Sequence, residues 1–149
     1  MRIVVNLASP GGRLSRPFQI MLNACIEMAA AELKRKRVPP LYKSIIDYQP
    51  EPWAGEGVEE FADPYTVLER KWGDCDDLVI YRGAELLAAG YPCHACIVHQ
   101  VPTNKYHTQL TRDFGGREIE DPSLQRLGKP WLFHPSSRLP LPAPLRGSY

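Results

Sequence analysis

The chain has no apolar run near the roughly 18 residues that a membrane-spanning helix requires, which argues against a membrane-embedded protein. It also lacks a dominant sign of charge. Its 18 basic and 17 acidic residues leave a formal net charge of +1, so no global field draws it toward nucleic acid or a membrane surface. The opening segment, Met1-Arg2-Ile3-Val4-Val5-Asn6-Leu7, is too short and too alternating to read as a signal peptide. Cysteine is sparse, at four residues. Without an export signal these are expected as free thiols in a reducing compartment rather than as two disulfides. No internal repeat is visible, so a repeat architecture is not expected.

What remains is an ordinary composition, 44% apolar and 23% charged, in 149 residues, which fits one compact domain over residues 1–149. Proline is the exception at 15 residues, five of them between Pro130 and Pro144. That tail reads as extended chain. Residues 2–8 read as a strand with Ile3, Val5 and Leu7 on one side. The clearest helix runs from about Pro17 to Lys36, with Phe18, Met21, Leu22, Cys25, Ile26, Ala29 and Leu33 on one apolar face. The basic run Lys34-Arg35-Lys36-Arg37 then reads as a solvated helix end that complements the dipole, in preference to a docking patch. Residues 41–48 are expected as a strand or extended segment, followed by a loop through Gly57. Asp63-Pro64 caps and opens a short helix to about Lys71. A further helix runs from Cys75 to Ala89, stopped by Gly90. It carries Arg82, expected either as a partly buried, paired charge or at the edge of the apolar stripe, and Gly83 where another element packs closely. Three β segments follow at about 93–101, 106–112 and 117–120. Helices first and an antiparallel sheet after them make an α+β arrangement. The core spans about 17–125, with extended arms at 1–16 and 128–149.

The richest stretch is Gly73-Asp74-Cys75-Asp76-Asp77. It sets Cys75 in the first turn of a helix, where the partial positive charge of the N-terminus favours a thiolate, and it follows a glycine that allows close backbone approach. A cysteine nucleophile also needs a base within hydrogen-bond reach and a group that orients the base. His107 lies on a predicted strand, with His107, Gln109 and Thr111 on one face and Tyr106, Thr108 and Leu110 on the other. If the first face packs over the start of the Cys75 helix, His107 reaches the sulfur. Asp121 ends the next strand, and antiparallel pairing sets it beside His107. Asp74, Asp76 and Asp77 oppose ionisation of the thiol. The motif tolerates them if they turn outward, with Asp74 capping and Asp76 or Asp77 meeting a cation.

These residues resemble the core of transglutaminase-like cysteine proteins. The resemblance rests on Lys71-Trp72-Gly73-Asp74-Cys75-Asp76-Asp77-Leu78, the helix ending Ala89-Gly90-Tyr91-Pro92, then His107 and Asp121-Pro122, and it covers roughly residues 41–125. Small stand-alone members of that superfamily occur in bacteria and in phage or prophage genomes. The resemblance implies a papain-like α+β fold with Cys75 as nucleophile, His107 as general base and acid, and Asp121 as orienter. It implies acyl transfer through a thioester on a peptide or protein amide, without a cofactor, in the cytoplasm of a bacterium or infected cell. The Cys75 N–H supplies one oxyanion donor. The second is expected from Tyr48 or Gln49, ahead of Trp72.

Other readings compete. A structural or assembly protein, such as a phage virion component, would keep this fold and bind neighbours through residues 1–16 and 128–149. Cys93-His94-Ala95-Cys96, with His99, has zinc-like spacing, but positions 93 and 96 of a strand point to opposite faces, so metal is not expected. Cys25 belongs to a core face. His134 has no visible partner in the sequence. Trp53 and Trp131 read as packing anchors, since no basic cluster surrounds either.

Overall fold

The computed structural model describes residues 2–6, 15–52, 58–100, 105–113 and 117–128. In chain order these form β1 (Arg2–Asn6), α1 (Ser15–Leu33), a 3-10 turn (Leu41–Lys43), β2 (Asp47–Tyr48) and β3 (Val58–Ala62). There follow α2 (Pro64–Arg70), β4 (Trp72–Gly73), α3 (Cys75–Ala88), β5 (Cys93–Gln100), β6 (Lys105–Asp113), β7 (Arg117–Glu120) and α4 (Pro122–Arg126). The described residues make an α+β structure of four helices and three small sheets: β1 antiparallel to β3, β2 parallel to β4, and an antiparallel β5-β6-β7. None of these helices is long and apolar enough to cross a membrane.

The centre of the molecule is the packing of α1 on α3. The stripe expected on α1 is buried at Leu22, Cys25, Ile26, Ala29 and Leu33, and α3 answers with Val79, Ile80, Ala84 and Leu86. Phe61 of β3, Ala95 of β5 and Leu110 of β6 close the same core. Gly83 is required here, because a Cβ at that position would lie 2.9 Å from Ile26 Cδ1. A different stripe of α3, Leu78 and Tyr81, packs with Leu41, Ile46, Ala62 and Val67 and so fastens residues 41–48 and α2 to the same helix. The Cys75 helix is therefore gripped along two stripes, which suits an element that has to hold a side chain still.

Several expectations shift. α1 starts at Ser15, two residues before Pro17. Proline is tolerated there because first-turn N–H groups have no intrahelical acceptor. α1 ends at Leu33, and exposed Lys34, Arg35, Lys36 and Arg37 lie beyond it. Residues 41–48 divide into the 3-10 turn and β2. Leu41 N–H donates to Glu85 Oε1 at 2.6 Å, which ties that turn to α3. β3 was not expected at all. Its sequence, Val-Glu-Glu-Phe-Ala, hides the strand because Glu60 is buried, where it pairs with Arg70 at 3.0 Å and Arg2 at 2.5 Å. Pairing of β1 with β3 makes the first residues of the anticipated N-terminal arm part of the fold, with Ile3 and Val5 packed on the core. The remaining arm segments 7–14 and 129–149, with Leu7, Trp131 and His134, lie outside the described residues, as do Trp53 and residues 101–104 and 114–116, where the sequence suggests turns.

Candidate active site

α3 starts through a capping box. Asp74 Oδ1 accepts from the Asp77 N–H at 3.5 Å, and Asp77 Oδ2 accepts from the Asp74 N–H at 3.3 Å. Cys75 is thus the first helical residue, and its N–H has no acceptor within the helix. Gly73 also has a packing role: a Cβ there would meet Asp77 Cβ at 3.1 Å and Leu78 at 3.4 Å, so the glycine admits the first turn of α3.

The half-buried thiol meets β6 at two consecutive residues. Its Sγ lies 3.9 Å from Thr108 Oγ1, and the His107 imidazole is close enough for the thiol to raise the ring's proton affinity. His107 Nε2 is 2.6 Å from Asp121 Oδ2, which leaves Nδ1 as the ring nitrogen for sulfur. Asp121 is held at both oxygens. Oδ1 accepts the Ser123 and Leu124 N–H groups at 3.1 Å each, capping α4. Oδ2 accepts the Gln109 amide at 3.2 Å beside His107. Strand register explains the meeting: Leu110 pairs with Glu120, so continuing one step sets Gln109 opposite Asp121 and His107 diagonal to it. The three residues singled out in the sequence come together. Thr108 and Gln109 were not assigned roles, although alternation already placed Gln109 on the His107 face.

The charges are strongly coupled. The hydrogen bond to Asp121, then that to Cys75, push His107 up to about 10 against the opposing effect of burial. Burial pushes the Asp121 carboxyl upward, but its bonds from His107, Leu124 and Gln109 outweigh this and hold it below the ordinary range. At neutral pH the pair is imidazolium and carboxylate.

The other carboxylates do not turn outward as the sequence reading supposed. Asp76 and Asp77 are both buried. Burial, reinforced by Asp74, pushes the Asp76 carboxyl well above its ordinary value, and its Oδ1 accepts from Asp77 N–H at 2.9 Å. Asp77 meets a cation as expected. It is bonded by the Arg70 guanidinium and by the Ala62 N–H at 2.8 Å. Asp74 caps α3 as expected, through Oδ1.

β2 brings Tyr48 to the same place. It runs parallel to β4 with Tyr48 paired to Gly73, and the Gln49 N–H donates to Gly73 O at 3.0 Å. Burial, and then the proximity of Cys75, Asp74 and Asp121, push the Tyr48 phenol up to about 12, so it stays an O–H donor. The Gln49 side chain is exposed. Trp72 lies under the Arg70 guanidinium, 3.9 Å from its ring centre. Among the three expected second donors, Tyr48 is the one coupled to the thiol.

Behind the site, Arg82 is the partly buried, paired charge of its two expected readings, bonded to Glu120 at 2.7 Å and Glu85 at 2.9 Å. Glu120 also accepts the Tyr42 hydroxyl at 2.5 Å and faces Arg112 at 3.3 Å. This buried cluster ties β7, immediately before Asp121, to the Cys75 helix. Glu51, Glu59 and Asp74 hold carboxylate oxygens within 4.8 Å of one another beside α3. Cys93 and Cys96 join no such group among the described residues. Cys93 Sγ lies 3.5 Å from Gly83 O instead. No family model, curated protein or solved structure matches the chain.

Proposed function

We propose that the chain is a thiol-dependent acyl-transfer enzyme, a cysteine peptidase or amidase or a transglutaminase-like enzyme, built on a papain-like core. The observation that carries this reading is the meeting of Cys75, His107 and Asp121 in one place, with His107 bonded to Asp121 at 2.6 Å and raised in proton affinity by both neighbours. The thiolate of Cys75 attacks the carbonyl carbon of a peptide or protein amide. The oxyanion takes the Cys75 N–H and the Tyr48 hydroxyl, donors whose value lies in being fixed before charge develops. His107 gives its proton to the departing amine, leaving a thioester on Cys75. Water, or a second amine, then attacks the thioester carbonyl while His107 takes a proton from it, and the Cys75 thiolate leaves beside the restored imidazolium. No cofactor enters this sequence. Asp121 holds the imidazole in orientation throughout.

The test is acyl-enzyme formation with an activated ester such as p-nitrophenyl acetate. Peptide mapping by mass spectrometry should place an acetyl group on Cys75, released faster by hydroxylamine and absent from Cys75→Ala. Acetylation that persists in Cys75→Ala, with none mapped to residue 75 of the wild type, would remove the basis for the proposal.

A further inference from the structure

Asp121 Oδ2 has two partners, and the second has no place in the triad. Gln109 sits two residues along β6 from His107, on the same face, and its amide reaches the same oxygen at 3.2 Å while His107 reaches it at 2.6 Å. Oδ1 is already committed to two backbone N–H groups of α4, so the carboxylate cannot swing to give each partner its own oxygen. We infer that Gln109 is a positioning residue: by sharing Asp121 Oδ2 with His107 it sets how tightly the imidazolium is held and how readily it gives up its proton.

The reason is chemical. A carboxylate oxygen that accepts two donors offers each a smaller share of its negative charge. A base that also serves as general acid works best when its proton is not bound too firmly. Without the Gln109 amide, the Oδ2 charge would fall wholly on His107 and the imidazolium would become a poorer acid toward the leaving amine. Among the described residues, the charged or titratable neighbours are Cys75 from α3, Asp121 at the β7–α4 junction, and Tyr48 from β2 with Asp74 at the α3 cap near Cys75. Val98, paired with His107 across β5 and β6, carries no charge. Gln109 is the neutral donor that moderates the pair.

This inference rests on the Cys75–His107–Asp121 reading, and an NMR titration of the His107 ring separates the two. In the reduced wild-type chain, the ring proton should titrate well above an ordinary histidine. Gln109→Met, of similar shape without the N–H, should raise the proton affinity of His107 about two- to fivefold, the scale of one neutral hydrogen bond. Gln109→Lys keeps a donor and adds positive charge, so it should lower that affinity, and it serves if the methionine variant fails to fold. An elevated wild-type midpoint that stays put or falls in Gln109→Met, or stays put or rises in Gln109→Lys, overturns the role of Gln109 alone. An ordinary wild-type midpoint overturns the pair and this inference with it.

Discussion

Replacing Asp121 by asparagine removes one charge from the His107 pair while leaving a side-chain oxygen to cap α4. The side chains of His107 and Asp121 are 18% and 9% exposed, so solvent screens their interaction only in part. A hydrogen bond between charged groups in such a setting is worth about 1.5–3 kcal/mol. At about 1.4 kcal/mol per pH unit, the His107 midpoint should fall by about one to two units from its native position. The native value near 10 exceeds that of an unfolded histidine, about 6.5. The pair therefore stabilises the fold fully below about pH 6.5, and that contribution drains away as pH rises through the native midpoint near 10. Urea denaturation should show Asp121→Asn less stable by roughly the same 1.5–3 kcal/mol near neutrality, with the gap narrowing in alkali. Asp121→Ala also loses the two N–H contacts of α4 and should cost about 1 kcal/mol more. A His107 midpoint unmoved by Asp121→Asn, or a stability gap that does not change with pH, would refute the reasoning.

Three further changes probe the scaffold and the oxyanion site. Arg70→Met strips the partner from buried Asp77 and one of two partners from Glu60, and should cost about 3–5 kcal/mol in urea denaturation; a loss below about 1 kcal/mol would mean those carboxyls are not charged in the fold. Gly83→Ala drives a methyl against Ile26 Cδ1 and should destabilise by about 1–3 kcal/mol despite better helix propensity. Ile26→Ala removes all three Ile26 atoms that the methyl would meet, so the double variant should be more stable than the sum of the two, and strict additivity would contradict the contact. Tyr48→Phe should slow acyl transfer by about 10²–10³-fold, the scale of one lost oxyanion donor, while Cys75 alkylates at its normal rate; equal loss of both would make Tyr48 a structural residue.

Much of the site was legible because it is written in local rules. Asp74 before Cys75 is a cap, and Gly90 at φ 86° is a stop, each decided within a turn of the helix. The alternation of β6 and its pairing with β7 brought His107 to Asp121 from spacing alone. What stayed hidden depends on contacts distant in sequence. β3 breaks the polar-outside pattern because Glu60 is buried against Arg70, ten residues away and on another element. The Asp76 carboxyl is raised above its ordinary value chiefly because the packing around α3 denies it water. Tyr48 could not be ranked above Gln49 until the parallel pairing of β2 with β4 brought its side chain beside the thiol. Thr108 presents the opposite pleat from His107, and only the placement of the α3 tip brings both to one sulfur.

The most direct measurement is the site-resolved rate of iodoacetamide alkylation at the four cysteines, native and His107→Gln, followed by mass spectrometry. The account predicts that Cys75 reacts ahead of Cys25, Cys93 and Cys96, with the burial of Cys25 and Cys93 holding their thiols protonated. His107→Gln should slow Cys75 at least about tenfold near neutrality, the cost of losing about 1.4 kcal/mol of thiolate stabilisation. Alkylation of Cys75 no faster than that of Cys96, and untouched by the loss of His107, would contradict the account.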